Sequence, residues 1–284
     1  MNWHKLSPAV LTLLVFLLTQ GLGTVLLFGI GMLVSPEFFA AIRAYLSGGA
    51  EGLPLLELMP VSLFSIYLMA VNILAVLCCR FSLRYICFTT ALDATLVRWR
   101  PAMFAVAGAI WGALSISIMT DGMELPEAMA QISLAMSHSF WGMIALVIVG
   151  PITEELLFRE AIAGEMLRRG ASPWSAIIVS ALAFSMVHLN LAQGCYAFPL
   201  GIMLGIIYYK TGGIVLTSLL HILNNGIVAV QLYTMGEDAA ETSLAEWFGS
   251  NCLAYTFMVL FAALSITLMI VFWNRYNLCT GETK

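Results

Sequence analysis

Six polar side chains, Glu154, Glu155, Arg159, His188, His221 and Asn225, fall inside long apolar stretches of the chain, where a charge or an imidazole is expensive unless it is used. Glu155 and Arg159 are four residues apart, so on a helix they share a face and can pair. Glu154 sits about 100° further round, with no local partner in the sequence. A desolvated carboxylate without a full counter-charge is suited to exchanging protons with water near neutrality. His221 and Asn225 again share one helical face, and an imidazole plus a carboxamide presenting donors to one point is what a developing oxyanion needs. Asn224 is a rival for that role, about 60° from His221 against about 40° for Asn225. The bland readings are an ion-paired helix end at the membrane surface for Glu154 to Glu160 and satisfied packing residues for the two histidines. His4 and His138 lie near span ends and are assigned no role.

Such residues need a frame that keeps bulk water away, and the composition supplies one. Of 284 residues 61% are hydrophobic and only 10% charged, with a mean hydropathy of +0.95. Soluble domains carry about 25% charged residues, so a water-soluble globule is excluded. A net charge of -4 without any basic stretch argues against a nucleic-acid partner. The six cysteines show no C-x-x-C spacing, which indicates neither a zinc ribbon nor a disulfide framework.

Uncharged runs predict an all-α, polytopic helical bundle of about eight spans: 8–34, 58–79, 101–119, 140–168, 174–192, 195–209, 212–234 and 251–273. The first is too long for the core of a cleavable signal peptide and reads as a retained span. The segment 81–100, apolar but interrupted by Asp93 and bounded by arginines, reads as an interfacial helix. Lys5, Arg80, Arg84, Arg98, Arg100, Arg168, Arg169, Lys210, Arg275 and Lys284 then fall on one side. The other side holds Arg43 and the acidic segments around Asp121, Glu124 and Glu127 and around Glu237, Asp238, Glu241 and Glu246. Cytoplasmic loops retain Lys and Arg, which places both termini inside. Pro151 removes a backbone donor just before Glu154, leaving a free carbonyl and room for water. Counted along the helices, Glu154, His188 and Asn225 all lie roughly 20 Å from the cytoplasmic ends and His221 roughly 14 Å, so independent spans bring their polar residues to similar depth. Gly201 and Gly205 read as a close helix-packing pair.

Glu154-Glu155 with Arg159, Phe184 with His188, and His221 with Asn225, in that order and each on a span, resemble the three motifs of the CAAX-protease and bacteriocin-processing (CPBP, or Abi) family of intramembrane endopeptidases. The resemblance covers about residues 140 to 233. It divides the chain into N-terminal spans (1–135), a catalytic core (136–234) and a final loop, span and tail (235–284). It implies a chamber within the bilayer in which Glu154 activates the attacking water with help from His188, His221 and Asn225 stabilise the oxyanion, and Glu155 and Arg159 hold the site together. A metal-free mechanism is favoured, since no His-x-x-x-His pair occurs on one helix. If Zn is present, its ligands are Glu154, His188 and His221. The implied partner is a membrane-associated protein or peptide, and the implied location a bacterial plasma membrane. The chain's own end, Cys279 to Lys284, is not a C-a-a-X box. The rival class is a non-peptidase scaffold, immunity factor or proton-coupled carrier using the same buried carboxylates. A carrier is disfavoured by the lack of repeated halves or paired broken helices.

Overall fold

Every long apolar run becomes helix in the computed structural model, which describes residues 3–48, 60–121, 123, 127–236 and 248–280, and no strand occurs among them. Helices are the expected solution in hydrocarbon, because they satisfy their own backbone groups where no water is available to do so. The order is α1 (Trp3–Val34), α2 (Pro36–Leu46), α3 (Val61–Phe81), α4 (Trp99–Met119), α5 (Glu127–Ser137), α6 (Phe140–Arg168), α7 (Pro173–Met186), α8 (Leu191–Thr211), α9 (Val215–Met235) and α10 (Asn251–Thr280). Seven of these, α1, α3, α4, α6, α8, α9 and α10, are long and apolar enough to cross a membrane. The molecule is therefore a polytopic helical bundle.

The expected fifth span, 174–192, is a shorter arm: α7 has 14 residues and stops at Met186. Asn190 ends it by starting the next helix, its side chain accepting from Gln193 N at 2.8 Å while its amide donates to His188 O at 3.0 Å. Hydropathy alone does not register this turn, because Val187, Leu189 and Leu191 are as apolar as the helices either side. Two glycines let α7 and α8 close into a hairpin. A Cβ on Gly201 would stand 3.1 Å from Ala181 and one on Gly205 3.0 Å from Ile177, so the close-packing reading of this pair holds. The segment 81–98 also differs from expectation. It is no extended interfacial helix but a four-residue turn, Phe88–Ala91, and a 3₁₀ turn, Ala94–Leu96, capped by Asp93. It does not cross the bundle.

One end of the bundle is tied together by the segments that carry Lys and Arg. Lys5 Nζ donates to Gly170 O and Arg169 Nη1 to His4 O, the latter at 3.2 Å. Arg168 Nη2 reaches Tyr85 O at 2.6 Å, Ile214 N reaches Ala91 O at 2.8 Å, and the Tyr276 hydroxyl donates to Leu96 O. These bonds join the start of α1, the 81–98 segment, the α6–α7 and α8–α9 connections and the last turns of α10. Glu124, Glu237, Asp238, Glu241, Glu246 and Lys284, used above for sidedness, lie outside the described residues.

Candidate active site

The site begins with a fault in α6. Ile144–Val149 and Glu155–Gly164 are wound as π-helix, with Gly150–Glu154 between them in α geometry. Gly150 N bonds to Ala145 O, five residues back, and a side chain at Gly150 would bring its Cβ to 2.8 Å from that oxygen. The α-helical partner of Leu146 O is thus diverted. Its π-helical partner would be residue 151, a proline with no N–H. The orphaned carbonyl is taken by Asn225 Nδ2 from α9 at 3.1 Å. Pro151 does free a carbonyl, as its position suggested, and the group that fills the vacancy is one of the candidate site residues.

Below this fault lies a buried charge cluster. Arg159 Nε stands 3.1 Å from Glu155 Oε2, and both side chains are 0% exposed, so the pair is buried in the protein and not at a solvated helix end. The contact is an ion pair without hydrogen-bond alignment, and Arg159 Nη2 finds no hydrogen-bond partner among the described residues. Its guanidinium lies 4.9 Å from the Phe184 ring centroid, and the ring face supplies part of what no oxygen does. Nη1 donates to Ser180 Oγ at 3.3 Å, and that hydroxyl donates on to Phe158 O at 2.6 Å. Glu155 also meets His221, whose Nδ1 is 3.1 Å from Oε1. A carboxylate only accepts, so Nδ1 carries the hydrogen and Nε2 is directed elsewhere. It faces Glu154 Oε2 at 3.6 Å. Glu154 keeps 26% of its side chain exposed, against 0% for its neighbour Glu155.

That exposure opens into a cavity of about 480 Å³ lined by Glu154, His188, His221, Asn224 and Asn225 together with α8 residues that include Gln193 and Tyr196. His188 sits in the α7–α8 turn, not on a helix, and its Nδ1 bonds to Phe184 O at 2.8 Å. A carbonyl accepts only, so Nδ1 is again the protonated nitrogen and Nε2 of the neutral ring is an acceptor. The spacing of Phe184 and His188 thus has a mechanical meaning, since the first residue's carbonyl sets the tautomer of the second. The next residue, Leu189, is held at φ 55°, a left-handed conformation that costs a non-glycine residue about 1–3 kcal/mol.

All six residues singled out from the sequence gather in or directly beneath this cavity. Several partners had no sequence signal. The Tyr196 hydroxyl donates to Asn224 Oδ1 at 2.6 Å, Asn224 Nδ2 to Asn225 Oδ1 at 3.2 Å, and Asn225 Nδ2 to Leu146 O. This chain fixes the Asn225 carboxamide and leaves its second Nδ2 hydrogen for the cavity. Pro151 signalled a free carbonyl beforehand, but α-helical spacing points to that of Val147; the π-winding moves the vacancy to Leu146. Among the described residues no three His, Cys, Asp or Glu side chains converge as metal ligands.

Residues 136–227 match the family model described as type II CAAX prenyl endopeptidase Rce1-like. No curated protein and no solved structure matches the chain. The matched segment, roughly a third of the sequence, contains all three motifs and every residue of the charge cluster. Over residues 136–227 the chain is similar to the Rce1-like domain of the CPBP (Abi) family of intramembrane proteases.

Proposed function

We propose that this protein is an intramembrane endopeptidase that hydrolyses a peptide bond of a membrane-associated protein or peptide with a glutamate-activated water. The observation that carries the reading is the contrast between two adjacent carboxylates. Glu155 is fully buried against Arg159 and His221, whereas Glu154 is open to the cavity with His221 Nε2 3.6 Å away.

In this reading Glu154 takes a proton from water as the oxygen attacks the substrate carbonyl, and returns it to the leaving amine. His188 Nε2, an acceptor because Nδ1 is held by Phe184 O, orients the water or relays its proton. The oxyanion receives Nε2–H of His221 and the second Nδ2 hydrogen of Asn225. With Nδ1 already donating to Glu155, His221 offers Nε2–H only as imidazolium, and the carboxylates on either side balance that charge. Glu155 and Arg159 position the ring and do not meet the substrate. Residues 136–234 form the catalytic core and the preceding spans enclose it. The mechanism needs no metal, since base and oxyanion donors both come from side chains. The protein resides in a plasma membrane, of bacterial type, with both termini in the cytoplasm.

The test is cleavage of candidate membrane-anchored peptides by purified protein and its Glu154→Gln variant, each with and without chelator. Cleavage by the parent alone, unchanged by chelator, supports the reading. Equal cleavage by the correctly inserted variant defeats the general-base role, and loss on chelation defeats the metal-free one.

A further inference from the structure

The cavity has a direction. Its floor is formed by Glu154, Phe184 and His221, and from there its lining runs along α9 through Val228 to Leu232, and reaches Thr120 and Met123 beyond the end of α4. None of its lining residues lies in the 81–98 segment, in the α6–α7 or α8–α9 connection, or in α1 or α10. Toward that cation-rich end the layers beneath the floor are closed. Glu155 and Arg159 are 0% exposed, Phe158 1%, Leu204 0%, Thr217 0% and Tyr208 4%. One layer further, the Tyr208 hydroxyl donates to Glu160 at 2.6 Å and Arg168 pairs with the same carboxylate at 3.0 Å. These three line a separate cavity of about 570 Å³ at the cation-rich end, which shares no lining residue with the chamber that holds Glu154. The end of α9 at Met235 lies about 15 Å past Asn225, so a water-soluble segment reaches the floor without crossing any of these layers.

The charge rule places the cation-rich end in the cytoplasm. Resting on the endopeptidase reading, we infer that substrate enters the chamber from the opposite face, so that the enzyme cuts membrane-anchored proteins whose scissile segment is presented on the non-cytoplasmic side. A cytoplasmic tail entering along the bundle axis would meet the buried Glu155–Arg159 layer before Glu154. The apolar part of the lining, including Met136, Leu146, Leu200 and Val228, suits a peptide with hydrophobic side chains flanking the cleaved bond.

Native thiols make the test possible in the full chain. Cys87 lies in the 81–98 segment at the cation-rich end, its thiol brought down to about 7 by hydrogen bonds from Thr89 and Thr90, which makes it a reactive marker of that end. Cys252 is exposed in the first turn of α10, at the opposite end. Leu232→Cys and, as a second variant, Val228→Cys mark the chamber mouth. A membrane-impermeant maleimide is applied to spheroplasts and to inverted vesicles, and modified cysteines are identified by peptide mapping. The expected result is modification of both mouth variants and Cys252 on spheroplasts, and of Cys87 only on inverted vesicles. Mouth variants that react only from the face that exposes Cys87, or from neither face while Cys87 reacts, overturn the inference. The labelling does not depend on turnover, so a chain labelled as expected that cleaves no peptide defeats the endopeptidase reading and leaves the direction of access standing.

Discussion

Three carboxylates project from the same helix within seven residues and have three different surroundings. Glu160, toward the cation-rich end, is 1% exposed and fully engaged, with Tyr208 on one oxygen and Arg168 on the other. Glu155, at the middle, is shared between Arg159 and His221. Glu154, one residue nearer the opposite end, has a histidine at 3.6 Å and open space beside it. A buried charge with a complete set of partners resists change and serves as structure. A charge at the same depth with an incomplete set and access to water is free to exchange a proton. The proposed mechanism follows this difference, with the chemistry on Glu154 and support from the other two, although all three have the same side chain.

The largest consequence of this contrast is for turnover. Glu154→Gln keeps size and hydrogen bonding but accepts no proton, so cleavage falls by about 10²–10⁴-fold while the melting temperature in detergent stays that of the parent. A variant that turns over normally would place Glu154 with its two structural neighbours. For Glu155→Ala and Arg159→Ala the loss is in stability first, about 3–5 kcal/mol each, because either change leaves the partner charge buried and unpaired. Combining Glu155→Gln with Arg159→Met recovers part of it, read as a higher midpoint of denaturation than either alanine variant. Parental melting of both single variants would mean that the pair is not the support described here.

Asn225→Ala lowers kcat by about 10²–10³-fold with little change in KM, since a donor to the oxyanion acts in the transition state. Asn224→Ala, one step back along the hydrogen-bond chain from Tyr196, is expected to have a smaller effect of the same kind. The reverse order would move the oxyanion role to Asn224. The smallest effect is expected at the cation-rich end. Tyr208→Phe removes one donor from Glu160 and costs about 1.5–3 kcal/mol of stability, with turnover per folded molecule unchanged. A fall in turnover there would couple the sealed end to the chemistry and weaken the distinction between the two regions.

How much of this was legible beforehand depends on the kind of signal. The helical bundle was readable because long uncharged runs in a chain this apolar have one stable form in hydrocarbon. The pairing of Glu155 with Arg159 was readable because it is local, set by helical spacing. Pro151 announced a break in the hydrogen-bond ladder of α6. The end of α7 at Met186 was not readable, since the turn that follows is made of apolar residues and its cap, Asn190, is one polar side chain among them. Nor was the meeting of His221 with Glu155, because their separation of 66 residues gives no periodic trace.

Residue types and spacing alone established a membrane bundle, a buried ion pair and the order of three motifs, all consequences of local periodicity and of the cost of charge in hydrocarbon. Tertiary structure decided which carboxylate His221 would bond through Nδ1, which carbonyl Asn225 would rescue and which end of the chamber would be closed. Those outcomes depend on how α6, α7, α8 and α9 meet. A helical repeat states which face a side chain occupies but not what stands opposite it, so the division of labour between Glu154 and Glu155 appears only once the helices are packed.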